Sequence, residues 1–399
     1  MPSRPRRLLR IAVFVAVQLV LVFGLGELAI RVAARHDHSL RMLLYDPRFT
    51  GDLGAARTLE ELLAGSQLGY RPLTVVSGFR LNSRGFRDEE YSRERPAGSF
   101  RAVVLGDSFA FASGGVPHRQ HWPQVAEDEL SRLIGRPAEL VSLGVPGVGL
   151  RFQLRLWQLE GSTLSPDLVI VAFCVGNDFN DELGLAVERA ATDELAHRSV
   201  LFRSVRNLLR LWRSGSHRSD RGGPEGIDGV EQDPATVAVG GVEVDGSTYD
   251  PDRPTFSEQE FLAMVSRRMG VCRRVNRERA TELAREAERV LAELEREVSL
   301  AGSELLVVAI PDEYQIDLDL AQRAMALRGL PIEDCDVEWP QQALADICRR
   351  LGIRCLDLLP VFRQEAGSGR LYRLRDTHWN IRGNALAGSE VAQRIAADL

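Results

Sequence analysis

The sequence predicts an α/β protein in which helices cover both faces of a parallel sheet. From residue 101 onward, short aliphatic runs alternate with longer segments whose apolar residues recur at helical spacing. The run Asp167–Cys174 is apolar at every position from Leu168 to Phe173, which is typical of a strand buried on both faces. Because strands that alternate with helices are joined by right-handed crossovers, neighbouring strands are expected to run parallel.

Each predicted element has a local signal. The first strand is a short β-branched and aliphatic run that stops at Gly106, and two helices end where Gly135 and Gly161 follow the apolar pattern. The strands are expected at Arg101–Leu105, Glu139–Leu143, Asp167–Cys174, Glu304–Ile310 and Ile353–Leu358. The helices are expected at Pro123–Ile134, Leu150–Glu160, Asn276–Leu300, Gln341–Leu351 and Asn380–Ala397.

An apolar segment precedes this domain. Residues Ile11–Gly26 contain no charged side chain, and with their flanks they approach the roughly 20 residues that cross a bilayer. Four arginines between Arg4 and Arg10 come before them, so the positive-inside rule keeps the N-terminus in the cytoplasm. Residues 1–35 are therefore predicted to be a basic cytoplasmic tail and an uncleaved transmembrane signal-anchor. A cleavable signal peptide and a buried core helix are the alternatives.

The rest of the chain divides into a connecting segment and one domain. Residues 36–100 are predicted to be a juxtamembrane segment that ends in turns, and residues 101–399 to be the α/β domain. The strand–helix alternation lapses at about residues 180–254, a block interpreted as an insertion and a candidate lid. Within it, residues 237–239 and 242–244 flank two glycines and could form a small hairpin.

Composition excludes several classes of function. The 50 basic and 56 acidic residues give a net charge of −6, which does not favour binding to nucleic acid. All the basic residues are arginine, so no lysine can form a Schiff base. The five cysteines lack the spacing of zinc ligands, and neither a metal nor another cofactor is predicted. One disulfide among Cys335, Cys348 and Cys355 is compatible with their spacing, without a preferred pair.

The stretch Gly106-Asp107-Ser108 follows the first strand and suits a nucleophile. Gly106 permits a backbone that a Cβ would obstruct, and Asp and Ser are favoured at helix starts. A serine here can direct its hydroxyl to solvent while backbone N–H groups nearby remain available to an anion. A helix cap in an ordinary α/β protein is the alternative, and three later segments argue against it.

These segments are expected at the same edge of the sheet. The loop after the second strand carries Gly147, the loop after the third carries Asn177, and the residues before the last helix include Asp376 and His378. His378 can take the proton of Ser108 while Asp376 orients the imidazole. The N–H groups of Ser108 and Gly147 and the Asn177 amide can hold an oxyanion. Taken singly, each residue also fits a structural role in a turn or a core.

In this order, the four segments resemble the sequence blocks of the SGNH/GDSL hydrolase superfamily over residues 101–399, without the insertion. Gly106-Asp107-Ser108 is similar to the first block, the Gly147 loop to the second, Gly176-Asn177-Asp178 to the third and Asp376-Thr377-His378 to the last. The resemblance implies a flavodoxin-like three-layer α/β/α fold. It also implies the roles already given to these side chains: Ser108 as nucleophile, His378 and Asp376 as base and orienting acid, and Ser108, Gly147 and Asn177 as oxyanion donors.

Two positions depart from the superfamily pattern. Phe109 stands where leucine is common, and the acid lies two residues before His378 rather than three, where this chain has Arg375. The block Asp376-Thr377-His378-Trp379 is similar to that of the SGNH-like polysaccharide O-acetylation proteins of the bacterial envelope. The departure leaves the role of Asp376 open to a structural test.

The resemblance and the anchor together predict a serine esterase or deacylase that is held in a bacterial cell membrane with its catalytic domain outside the cytoplasm. Its substrate would be an O-acyl ester of an envelope glycan or lipid, and it would act through an acyl-serine intermediate. Polysaccharide O-acyl transfer by the same triad is one alternative, and a non-catalytic module that binds a glycan or a partner is another. No protein partner is indicated. His118 and His121, at a helix entrance, are expected at the surface.

Overall fold

The computed structural model describes residues 72–73, 75–76, 78–180, 241–244 and 249–399, together with Gln18, residues 23–26 and 28–29, and Val32. By its internal contacts the chain divides into two units. One consists of Met1–Ser66 and Leu185–Gly226, and the other of Gln67–Gly184 and Ile227–Leu399. Nearly all the described residues belong to the second unit, which contains both sheets.

Eight strands are present in the described part of the chain. They are β1 (Val75–Val76), β2 (Phe79–Arg80), β3 (Phe100–Gly106), β4 (Ala138–Ser142), β5 (Leu168–Cys174), β6 (Val242–Glu243), β7 (Glu304–Ile310) and β8 (Arg354–Asp357). Five of them form one sheet in the order β4-β3-β5-β7-β8, and every neighbouring pair is parallel. This is the flavodoxin-like strand order, and it confirms the predicted parallel α/β sheet.

Ten α-helices accompany the strands in the described ranges between residues 72 and 399. They are α1 (Ser108–Phe111), α2 (Trp122–Ile134), α3 (Leu150–Leu159), α4 (Glu258–Arg268), α5 (Arg277–Leu300), α6 (Glu313–Ile316), α7 (Leu318–Ala326), α8 (Trp339–Leu351), α9 (Leu359–Glu365) and α10 (Ile381–Asp398). All five predicted helices are present within two residues of their expected ends. The pattern missed α4, α7 and the short helices.

Helices lie on both faces of the central sheet. On one face, α2 and α10 pack against each other and share an apolar core with alternate residues of β3, β5 and β7. On the other face, α3 lies on β3, while α5 and α8 lie on β7. Every residue of β3 and β5 is buried, because a strand with a helical layer on each side has no solvent-facing side chain.

A small antiparallel sheet of β1, β2 and β6 lies beside this core. Val242–Glu243, one half of the predicted hairpin, pairs with Phe79–Arg80, while the other half, residues 237–239, lies outside the described residues. Phe79 and Leu81 are fully buried in a cluster with Phe111 of α1. Part of the predicted juxtamembrane segment is therefore packed against the domain.

The predicted membrane anchor falls mostly outside the described residues, and so do residues 36–71 and most of the predicted insertion. In the portion of the chain that is described, no helix has the length and apolarity needed to cross a membrane.

The expected exposure of His118 and His121 is wrong. His118 is 3% exposed and its ring packs on Phe79 with 4.7 Å between ring centroids, a contact with a residue far away in sequence. His121 is 1% exposed, and its Nε2–H donates to the Phe109 carbonyl at 2.9 Å. Burial, followed by the charge of Arg87, lowers the pKa of His118 to about 3, so this side chain is neutral at physiological pH.

The cysteines are all free thiols in the structure. Cys335 Sγ lies 3.5 Å from Met325 Sδ, and Cys174 Sγ lies 3.2 Å from an Arg268 nitrogen. No disulfide is therefore present among Cys335, Cys348 and Cys355, all of which lie in the described part of the chain.

Gly144 is expected to be intolerant of a side chain. A Cβ added there would lie 2.3 Å from the Ala110 carbonyl carbon and 2.4 Å from the Phe111 nitrogen, and backbone atoms of α1 cannot move aside as a side chain can. We expect Gly144→Ala to lower the free energy of unfolding by about 2 kcal/mol in urea titrations. Gly270→Ala is the control, because a Cβ there would meet nothing within 4 Å. Equal stability of the two variants would contradict the close approach.

Candidate active site

Ser108 is the first residue of α1 and follows the interior strand β3, with only Asp107 between them. The Asp107 carboxylate caps this short helix by accepting the Phe109 N–H at 3.0 Å. The turn is tight because β5 is close: a Cβ on Gly106 would lie 3.0 Å from the Ala172 Cβ. Ser108 itself is half-buried, so its hydroxyl remains accessible at the carboxyl edge of the sheet.

His378 lies in the segment that leads into α10. Its Nε2 is 2.8 Å from Ser108 Oγ, and its Nδ1–H donates to Asp376 Oδ1 at 2.6 Å. The Asn380 side chain caps α10 by accepting the Gly383 N–H at 3.0 Å, which fixes the backbone next to His378. The predicted serine, histidine and acid are thus joined in one hydrogen-bonded chain.

The two oxygens of Asp376 have different partners. Oδ1 accepts both the ring Nδ1–H and the backbone N–H of His378, at 2.6 and 3.0 Å. Oδ2 accepts the Thr255 hydroxyl at 2.6 Å and a guanidinium N–H of Arg373 at 2.7 Å. Burial favours a higher pKa for Asp376, but the hydrogen bonds from His378 and Thr255 and the charges of His378 and Arg373 hold the pKa well below its ordinary value.

Aromatic side chains support the histidine. Phe109 lies 5.5 Å from the His378 ring and 4.9 Å from the Trp379 ring, the second contact being edge to face. Trp379 also packs on Phe362 at 5.0 Å. The phenylalanine that replaces the common leucine after the serine therefore contacts both the histidine and the residue that follows it.

Asn177 joins the loop after β5 to the loop after β3. Its side-chain amide donates to Asp107 Oδ2 at 3.1 Å, next to the serine. The neighbouring Asp178 accepts the Cys174 N–H at 2.8 Å, which closes the turn. Asn177 carries a second amide N–H, which this hydrogen bond does not use.

Gly147, the third predicted oxyanion donor, lies in the loop after β4. It is exposed, with a φ of 75° that suits glycine, and a Cβ there would meet no atom within 4 Å. Within the described residues, no hydrogen bond joins Gly147 to Ser108, His378 or Asp376. Hydrogen bonds join Ser108, His378 and Asp376, and Asn177 is joined to Asp107 beside the serine, whereas Gly147 has no such contact among the described residues.

Sequence reasoning missed several residues of this site. Thr255 and Arg373 bind Asp376, while Arg268 Nε donates to Asp312 Oδ2 at 2.5 Å beneath the Asn177 loop. A Cβ on Gly176 would lie 2.1 Å from that Asp312 oxygen, so the glycine of the third block makes room for a buried carboxylate. A signal for Arg373 was its position five residues before His378, whereas Thr255 and Arg268 come from segments without a motif.

A small pocket of about 10 Å³ adjoins the serine and the histidine, with Ala112 and Ser113 among its lining residues. That volume has room for about one water-sized group. A larger cavity of about 370 Å³ lies at the opposite, amino-terminal edge of the sheet and includes Asp167 and Glu304. Over the described residues, no three His, Cys, Asp or Glu side chains converge as a metal site requires.

Residues 272–399 match the family model described as "SGNH hydrolase-like domain, acetyltransferase AlgX". The resemblance to the SGNH hydrolases is confirmed. The matched region includes both Asp376 and His378, whereas Ser108 and Asn177 precede it. No curated protein matches the chain.

Solved structures with similarity to the chain include several esterases. The acetyl xylan esterase AlAXEase shares 11% identity over 74% of this chain and 100% of its own, with a TM-score of 0.38. TesA shares 12% identity over 75% of this chain and 99% of its own, with a TM-score of 0.37. The lipase/acylhydrolase from Enterococcus faecalis shares 12% identity over 75% and 97%, with a TM-score of 0.36. TM-scores below 0.5 support no conclusion about the function of this chain.

The depressed pKa of Asp376 predicts a pH-dependent contribution to stability. Because the folded-state pKa lies below the ordinary 3.8, the contribution is complete above about pH 5 and is lost as the pH falls. We expect Asp376→Asn to lower the free energy of unfolding by roughly 2 kcal/mol at pH 7, with a clearly smaller difference at about pH 2.5.

Urea unfolding at both pH values measures this difference. Asp346→Asn is the control, because Asp346 forms an exposed ion pair with Arg349, which is worth little. A difference between the native protein and Asp376→Asn that stays constant from pH 7 to about pH 2.5 would show that Asp376 does not stabilise the fold as a carboxylate.

Proposed function

We propose that this protein is a serine esterase of the SGNH type that removes an O-acyl group through an acyl-serine intermediate. One observation carries the proposal: the continuous hydrogen-bonded chain from Asp376 through His378 to the half-buried Ser108. A histidine with a purely structural role would not require this serine. The Ser108 hydroxyl lies at the start of a helix, close to the Asn177 amide, and is accessible to solvent.

The proposed reaction follows from the partners of each atom. Ser108 Oγ attacks the ester carbonyl carbon while His378 Nε2 takes the hydroxyl proton. Asp376 Oδ1 accepts the Nδ1–H and stabilises the imidazolium. The negative oxygen is held by the Ser108 N–H and the Asn177 amide, with the Gly147 N–H as a third donor once the loop adjusts to substrate.

The intermediate then collapses in two stages. The imidazolium returns its proton to the leaving alcohol oxygen, the C–O bond breaks, and the acyl group stays on Ser108. Water enters, gives its proton to His378 Nε2 and attacks the acyl carbon. The carboxylic acid leaves as Ser108 Oγ regains the proton from His378.

The small pocket supports a short acyl group. Its volume of about 10 Å³ beside Ser108 has room for one small group. An acetyl ester, whose methyl group is the smallest acyl substituent after formyl, is the substrate that we propose. The envelope of a bacterium offers such esters on glycans, and the apolar segment Ile11–Gly26 after four arginines supports an anchored location with the catalytic domain outside the cytoplasm.

Replacement of the nucleophile should abolish activity. We expect Ser108→Ala and His378→Ala to lower kcat/KM for a short-chain aryl ester by at least about 10³-fold, and Asp376→Asn to cost less, since it disturbs orientation but leaves the nucleophile. Ser299→Ala is the control, because its hydroxyl only contacts Glu295 on the surface. Hydrolysis that survives in folded Ser108→Ala would refute the assignment.

A fluorophosphonate probe separates the enzyme from a module that only binds glycans or partners. Labelling of the native protein that disappears in Ser108→Ala indicates an activated serine. An unlabelled but folded native protein would favour the binding module.

The second candidate is an O-acetyltransferase. The match of residues 272–399 to a family described as an acetyltransferase supports it, because these residues supply His378 and Asp376. The same acyl-serine would then pass its acetyl group to a sugar hydroxyl, which gives its proton to His378 Nε2 just as water would.

The fate of the acyl group decides between the two candidates. The enzyme is supplied with an acetyl ester, with and without an oligosaccharide acceptor, and products are followed by mass spectrometry. We expect free acetate in both cases, since nothing in the described residues marks an acceptor site. Acetylated sugar that forms at the expense of acetate, and that requires Ser108, would establish transfer instead.

A further inference from the structure

Residues 249–256, here called the strap, lie along the segment that carries the acid and the histidine. The Leu374 N–H donates to the Pro251 carbonyl at 3.0 Å, and the Thr255 N–H donates back to the Leu374 carbonyl at 3.3 Å. The Phe256 N–H donates to the Arg375 carbonyl, also at 3.3 Å. Two chain segments more than a hundred residues apart are thus joined through their backbones immediately before Asp376.

The strap also reaches the carboxylate itself. The Thr255 hydroxyl donates to Asp376 Oδ2 at 2.6 Å, while Oδ1 is occupied by His378. Thr255 approaches from outside the protein and is itself exposed, whereas the Asp376 side chain is only 4% exposed. The Thr255 hydroxyl therefore binds the carboxylate oxygen that His378 leaves unbound.

We propose that Thr255 is a positioning residue, whose hydroxyl holds the Asp376 carboxylate in the rotation that directs Oδ1 at His378 Nδ1. The inference rests on the proposed function and deepens it, because it assigns a role in the reaction to a residue at the end of the predicted insertion. Arg373, which donates to the same oxygen at 2.7 Å, shares this task from within the catalytic segment.

The backbone before Asp376 explains why outside support is needed. Arg375 has a φ of 47°, a left-handed conformation that costs free energy for a residue with a side chain. Such a conformation persists where its surroundings over-determine it, and here the Phe256 N–H holds the Arg375 carbonyl. With the acid only two residues before the histidine, the local chain must turn sharply, and the strap fixes that turn.

Arg373, which donates to the same Asp376 oxygen as Thr255, is itself held in place by its neighbours. A Cβ on Gly114 would lie 2.9 Å from the Arg373 Nη1, so the guanidinium lies directly on the loop after α1. Its other face is turned to the Tyr249 ring of the strap at 5.9 Å, and the Tyr249 hydroxyl oxygen accepts the Ile381 N–H at 3.0 Å. The strap therefore contacts the acid, its cation and the start of α10.

The test compares Thr255→Val with Thr255→Ser in the full chain. Valine keeps the shape and removes the donor, and we expect kcat/KM for a short-chain aryl ester to fall about tenfold with KM unchanged, as for a lost hydrogen bond to a charged group. Serine keeps the donor and is expected to restore the rate to within about twofold. Thr281→Val is the matched control, because its hydroxyl donates to the Arg277 carbonyl at 2.8 Å on α5.

A second readout follows the histidine directly. In protein labelled with ¹⁵N-histidine, the downfield proton on Nδ1 of His378 should shift or broaden in Thr255→Val and return in Thr255→Ser. A double-mutant cycle completes the test: in an Asp376→Ala background, Thr255→Val should have no further effect on the rate, because the group through which it acts is gone.

The outcomes separate this inference from the proposed function. If Ser108→Ala leaves hydrolysis intact, the proposed function fails, and the Nδ1 proton still tests the contact between the strap and Asp376. If Ser108→Ala is inactive but Thr255→Val matches Thr281→Val in rate and in the Nδ1 signal, the positioning role is overturned. An equal loss of rate from Thr255→Val with and without Asp376 would overturn it as well.

Discussion

The place of β3 at the interior of the sheet is the constraint on which the site depends. β3 is paired on both sides, with β4 and β5, and all of its residues are buried, so the residue that follows it is held firmly at the carboxyl edge. This edge, where the strand order reverses, is where ligands bind in open α/β sheets. Ser108 lies there within one residue of the strand end, and His378 reaches it from 270 positions further along the chain.

Asp107 and Asp376 are two of the buried carboxylates at this edge, and their surroundings shift their pKa values in opposite directions. Burial raises the pKa of Asp107, which hydrogen bonds from Phe109 and Asn177 oppose only in part. Burial acts on Asp376 as well, but donors on both oxygens and the Arg373 cation reverse the effect and lower its pKa. An ionised acid stabilises an imidazolium, and a neutral one does not. The acid that contacts His378 is therefore the one whose charge is secured.

How far the sequence predicted this structure depends on how local each signal is. β5 was evident because six consecutive apolar residues need two covering layers, and the serine, histidine and acid were evident because their residue types followed strand ends. The burial of His118 was not evident, because it depends on a contact with Phe79 and no sequence pattern links these two residues. Thr255 follows directly after the predicted insertion of about residues 180–254, in a stretch without periodicity where only a tertiary contact reveals a role.

The described ends of the insertion are both fastened to the same edge of the sheet. At its start, Asp178 closes the turn after β5 by accepting the Cys174 N–H, and at its end Pro251 accepts the Leu374 N–H. Both fastenings are formed by described residues alone, shortly after the end of β5 at one end and beside the histidine segment at the other. Substitutions elsewhere in the connection therefore leave the register of the histidine segment unchanged as long as these hydrogen bonds persist.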